Sequence, residues 1–119
     1  MRGRECYLAI AVAFASTAAD ARMRTETGVA SWYNLSGRIT ASGEVFDRQR
    51  LTAAHPSLPF GSVIEVRNKK NGRTVLVTVN DRGPHTKARI IDLSPAAAAV
   101  LGMRAKGVAL VEIRPATFE

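Results

Sequence analysis

Ser62-Val63-Ile64-Glu65-Val66-Arg67, followed by Asn71-Gly72 and then by Thr74-Val75-Leu76-Val77-Thr78-Val79-Asn80-Asp81-Arg82-Gly83-Pro84, is the stretch that decides the fold. The first run alternates apolar and polar residues, the period-2 mark of a half-buried strand. Asn71-Gly72 is a strong short hairpin signal, because both central residues of a type I′ turn need positive φ. The chain is therefore expected to return antiparallel over Arg73–Asn80. Gly83-Pro84 break that second strand, which leaves Asp81 at its terminus, where a rigid scaffold can hold a carboxylate toward a cleft.

Working outward, short β-prone segments alternate with turns. Gly28–Tyr33 reads as a first strand, with a loop over Asn34–Gly37. Thr40–Gly43 is a turn region leading to Leu51-Thr52-Ala53-Ala54, and Pro56–Gly61 is a loop. Arg89–Leu93 reads as another strand. Ser94 is an N-cap, Pro95 fits the first helical position, Ala96–Leu101 is a helix, and Gly102 ends it. Val108–Ile113 is the last strand, stopped by Pro115. About six strands and one short helix in a single small domain fit an all-β closed barrel, since closure removes exposed sheet edges.

The N-terminal residues 1–21 read differently. Met1-Arg2-Gly3-Arg4 is basic, Tyr7–Ala15 is apolar, and Ala19-Asp20-Ala21 fits a small-residue cleavage site, so a signal peptide is expected. The apolar run is short of the ~20 residues that span a bilayer. Cys6, the one cysteine, precedes that run, whereas a lipoprotein acceptor would follow it. The expectation is an exported protein, periplasmic or secreted, with no thiol and no stable membrane anchor after cleavage. Residues 22–27 and 116–119 read as disordered ends around a domain at 28–115.

The net charge is +7, and because Arg2 and Arg4 offset Glu5 and Asp20 it persists after residue 21. Such a charge favours nucleic acid, anionic lipid or an acidic wall, and it also serves solubility alone. Few aromatic residues and the export signal speak against nucleic acid.

Proton chemistry has three candidates: Asp81, His55 in Leu51-Thr52-Ala53-Ala54-His55-Pro56, and Glu44 in Ala41-Ser42-Gly43-Glu44. Each also has a structural reading: a strand-end carboxylate paired with Arg82 or Arg89, a satisfied histidine before proline, and an exposed loop glutamate. Trp32 and Tyr33 face opposite sides of a strand, so one ring joins the core while the other, expected to be Tyr33, stands near a groove. Arg82 either contacts substrate or pairs with Asp81. Asp92 reads as a brace and His85 as an exposed loop residue. No phosphate-binding loop, nucleophile elbow or zinc-ligand spacing is present, and neither a metal nor another cofactor is expected.

Seven segments occur in the order typical of the rare lipoprotein A (RlpA) family: Gly28–Tyr33, Thr40–Asp47, Leu51–His55, Leu58–Gly61, Asn80–Pro84, Arg89–Ser94 and Leu101–Met103. The chain resembles that family over roughly residues 28–114. The resemblance implies a six-stranded double-psi β-barrel with one short helix. It further implies a lytic transglycosylase that cleaves MurNAc–GlcNAc bonds in peptidoglycan strands poor in stem peptides, leaving 1,6-anhydro ends. Its acidic and histidine positions fall on Glu44, His55 and Asp81, the residues isolated above. Peptidoglycan glycan strands are the implied partner, with proteins of the division site beside them, and the protein is expected to be monomeric. Asn34 stands where the family usually has glycine after Ser-Trp-Tyr. Asparagine tolerates left-handed φ, so the turn is expected to survive. Two other classes compete with the enzyme: an expansin-like module that binds wall polysaccharide without cleaving it, and a basic interaction protein.

Overall fold

The computed structural model of the protein describes residues 24–116. The segment read as a signal peptide and residues 117–119 lie outside the described residues. Six strands, β1 (Glu26–Trp32), β2 (Thr52–Ala54), β3 (Val63–Asn68), β4 (Thr74–Asp81), β5 (Ile91–Leu93) and β6 (Val108–Pro115), and one helix, α1 (Pro95–Val100), make up the domain. The strands close into a barrel in the order β1-β5-β2-β4-β3-β6. β1–β5 and β2–β4 are parallel, and the remaining neighbours are antiparallel.

The core follows the alternation read from sequence. Val75, Val77 and Val79 of β4 point inward with Ile64 and Val66 of β3, and meet Ile91, Leu93, Val111 and Ile113. Each such side chain contributes about 1.5–3 kcal/mol when fully buried. Helix α1 packs Ala97 and Ala98 onto this core, and Leu101 and Met103 follow behind it. Ser94 caps it as expected: its Oγ accepts from Ala97 N–H at 3.3 Å and donates to the Arg50 carbonyl at 2.7 Å. Gly102, at φ +69°, ends it in the left-handed region.

Three local expectations are corrected. β1 starts at Glu26, inside the stretch read as a disordered end, because Glu26 and Thr27 pair with Ile113 and Glu112 of β6. Their polar side chains carry no hydrophobic period; the backbone ladder that closes the barrel orders them. The β3–β4 connection is not a two-residue type I′ turn. Among the described residues none but glycine has positive φ, and Lys69–Gly72 form a longer loop closed by Gly72 N–H to the Asn68 carbonyl at 2.8 Å. Asn71 is held instead by its amide, which donates to the Leu101 carbonyl at 3.0 Å behind α1. Asn34, likewise, is not left-handed: its Oδ1 accepts from Ser36 N–H at 3.1 Å, an Asx turn that needs no positive φ.

Candidate functional site

The site begins with an irregularity in β4. Ala53 of β2 pairs with Val79, but Ala54 pairs with Asp81, so Asn80 is an extra residue on the β4 side. A bulge of this kind bends the strand and re-aims the side chains beyond it. Inward alternation ends there, and Asn80 and Asp81 are both buried, Asp81 at 8% exposure.

Three donors hold the Asp81 carboxylate. Oδ1 accepts from the backbone N–H of Ala41 and of Arg82, each at 2.9 Å. Oδ2 accepts from the Tyr33 hydroxyl at 2.9 Å. A carboxylate oxygen offers two lone pairs, so Oδ1 is filled and Oδ2 keeps one acceptor position. The Ala41 donor comes from a small hairpin, in which Ile39 bridges Val45 and Ser42 N–H reaches the Asn80 carbonyl at 3.1 Å. Tyr33 follows β1, its N–H bonded to the Leu93 carbonyl at 3.0 Å and its ring 5.1 Å from that of Phe46. Burial, and then the hydrogen bond to Asp81, push the Tyr33 phenol far above its ordinary value, so it remains a donor.

A groove of about 380 Å³ opens over this carboxylate, lined among others by Tyr33, Leu35, Gly83, His85, Arg89 and Asp92. Asp92 has a second place in the structure that sequence reasoning missed. Its Oδ1 accepts from Ser31 Oγ and lies 3.4 Å from Arg89 Nε, the bracing contacts expected of it, yet it also lines the groove that holds Asp81. The groove's second carboxylate is therefore Asp92, which was not among the three candidates for proton chemistry. Its position depends on β5 lying beside both β1 and β2, which no local pattern reveals.

His55 and Glu44 are not brought to Asp81 by their side chains. His55 N–H bonds the Asp81 carbonyl at 3.1 Å, but its ring turns away and is 4% exposed as a residue. Nδ1 accepts from Ser57 and Leu58 N–H, both at 3.1 Å, which assigns the proton to Nε2, and Nε2 donates to Glu26 Oε1 at 2.9 Å. The carboxylate partner of His55 is thus Glu26. These two residues line a separate cavity with Arg24 and Arg114. The Glu44 side chain is 50% exposed and lies 3.7 Å from Arg50 on the outside of the hairpin.

Arg82 lines the groove, and its guanidinium is also engaged on the 55–60 loop. Its Nη1 donates to the carbonyls of Leu58 at 2.9 Å and His55 at 3.3 Å, and the group stacks 4.0 Å over the Phe60 ring. It ties the 55–60 loop to the end of β4, and the pairing with Asp81 runs through its backbone N–H. Trp32, facing away from Tyr33, packs on the core and donates from Nε1 to the Arg104 carbonyl at 3.2 Å. Among the described residues no group of three or more His, Cys, Asp and Glu side chains is placed to hold a metal ion.

This barrel, with two parallel strand pairs and a groove that holds two carboxylates at one end, is of the double-psi class. The family described as lytic transglycolase matches residues 25–113, and the chain belongs to it, within the RlpA family of double-psi β-barrel proteins. A Nostoc protein named probable endolytic peptidoglycan transglycosylase RlpA is 54% identical over 90 residues, 72% of this chain and 24% of the relative. A Vibrio cholerae protein named endolytic peptidoglycan transglycosylase RlpA is 46% identical over 97 residues, 80% of this chain and 37% of the relative. The chain thus spans well under half the length of these relatives. Among solved structures, the Streptomyces papain inhibitor superposes with a TM-score of 0.65 at 30% identity, covering 76% of this chain and 93% of that one. A Clavibacter michiganensis expansin also gives 0.65, at 24% identity, covering 81% and 52%, a likeness of fold.

Proposed function

We propose that this domain is an endolytic peptidoglycan lytic transglycosylase that cleaves MurNAc–GlcNAc bonds in strands poor in stem peptides. The observation that carries the reading is Asp81, oriented by three donors at the bulged end of β4 with one acceptor position of Oδ2 unfilled. The names of relatives at about half identity support the substrate class. The reaction consumes no water. The Asp81 carboxyl protonates the glycosidic oxygen as the C1–O bond breaks. The C6 hydroxyl of the same muramic residue attacks C1, forming the 1,6-anhydro ring, and its proton returns to Asp81. Tyr33 holds Oδ2 through both transfers, and Asp92 faces the positive charge that develops at the anomeric carbon. Action on such a substrate goes with the expected export to the periplasm or outside the cell.

An expansin-like module that binds the wall without cleaving it is the competing reading. The placement of His55 and Glu44 outside the groove favours it. Incubating residues 22–119 with purified stem-free glycan strands, followed by mass spectrometry, separates the two. Anhydro-muramic products are expected, with a loss of roughly 10²-fold or more in Asp81→Asn, a change that keeps the shape and the Oδ1 contacts. No products, with strands still co-sedimenting the protein, would leave the binding module.

A further inference from the structure

The +7 charge is not absorbed by the groove. Part of it gathers at the opposite end of β4, about 23 Å from Asp81 at ~3.3 Å per residue. There the Lys69–Gly72 loop is fastened to the chain behind α1: Asn68 and Asn71 amides both reach the Leu101 carbonyl, at 2.9 and 3.0 Å, and Lys69 N–H bonds the Leu110 carbonyl at 3.0 Å. This latch holds Lys69, Lys70 and Arg73 against the chain behind α1, with Lys70 near Lys106 and Arg73 near Gly102; all four cations are exposed. No acidic residue occurs in 66–76 or 101–111, and among the described residues none of the four cations forms an ion pair. The Lys106 ammonium is held below its ordinary value, first by hydrogen bonding with Lys70 and then by repulsion from it. Neighbouring ammonium groups repel one another, and an anion between them relieves that repulsion.

The same surface is apolar beside the cations. Val108 and Leu110, on the outer face of β6, are 50% and 51% exposed, and Leu110 adjoins Lys69 through the hydrogen bond above. A soluble polyanion needs the cations alone. Lysines bordering exposed aliphatic side chains suit an interface that is anionic at the surface and apolar beneath, which is a lipid bilayer.

We propose that this end of the barrel is a peripheral docking surface for an anionic phospholipid membrane, with Lys69, Lys70, Arg73 and Lys106 on the headgroups and Val108 and Leu110 at the acyl boundary. The contact is weak and salt-sensitive, an orienting surface and not an anchor.

Co-sedimentation with vesicles tests it without any glycan, so its outcome is separate from that of the cleavage assay. All six strands lie within residues 26–115, so the chain from residue 22 onward is used. Binding is expected to phosphatidylcholine vesicles containing roughly a third phosphatidylglycerol, to be lost at high salt, and to be absent with phosphatidylcholine alone. Lys70→Gln/Lys106→Gln should weaken it about thirtyfold, about fivefold for each lysine. Leu110→Ser should weaken it roughly tenfold. Equal binding to both vesicles, or a double variant that binds like the parent, overturns the proposal. So does an unaffected Leu110→Ser variant whose vesicle binding is displaced by soluble polyphosphate, which would make the patch a polyanion site.

Discussion

Asp81 and His55 sit one backbone hydrogen bond apart, yet they belong to two regions built on different terms. Around Asp81 the protein fills one carboxylate oxygen and leaves part of the other toward a groove. Around His55 it fills every polar atom of the ring: two backbone N–H groups on Nδ1 and a glutamate on Nε2. Both are buried and both are hydrogen-bonded, so burial alone does not distinguish them. Spare hydrogen-bonding capacity does. A group whose partners are complete holds structure together, and a group with a vacancy facing solvent can exchange a proton with something that enters.

Substitutions break or sharpen that contrast. The largest effect on stability is expected from His55→Ala, which strips the acceptor from Ser57 and Leu58 N–H and the donor from Glu26. The cost should be about 2 kcal/mol, read as a fall of about 10 °C in Tm, with strand cleavage changed less than about threefold. Activity lost by orders of magnitude at unchanged Tm would move His55 into the chemistry and dissolve the contrast.

Tyr33 comes next. It is the only tyrosine after Tyr7, so in residues 22–119 the phenolate absorbance reports it alone. Its folded pKa is raised, so the unfolded chain releases the proton first as pH climbs. The Tyr33 contribution to stability is complete below about pH 10 and declines above it. The phenolate signal should therefore appear only together with alkaline unfolding, while an ordinary titration near pH 10 would show that the Asp81 contact is not maintained. Tyr33→Phe should lower cleavage about tenfold by freeing Oδ2 from its donor.

The smallest effect is expected at Glu44. With a half-exposed side chain and an Arg50 contact of 3.7 Å, Glu44→Gln should change stability by less than about 0.5 kcal/mol and leave cleavage within about twofold. A large loss of activity there would bring the outer hairpin into the groove's function.

Most of what is local was legible. The β3 and β4 alternation, the Ser94-Pro95 helix start, the Gly102 stop and the position of Asp81 at a strand end all rest on interactions within a few residues. The type I′ turn was misread because Asn71 is recruited by the Leu101 carbonyl, thirty residues away. The start of β1 was missed because pairing of Glu26 and Thr27 with β6 leaves no hydrophobic trace.

The sequence by itself determined the strand set, the capped helix, the barrel class and the acid at the end of β4, because propensity, periodicity and turn chemistry act over short spans. Tertiary structure alone decided that Asn80 bulges, that Asp92 shares the groove with Asp81, that Glu26 takes His55, that Arg82 ties down the 55–60 loop, and that Asn68 and Asn71 reach the Leu101 carbonyl. Each of these joins segments far apart in the chain, and barrel closure sets their distances.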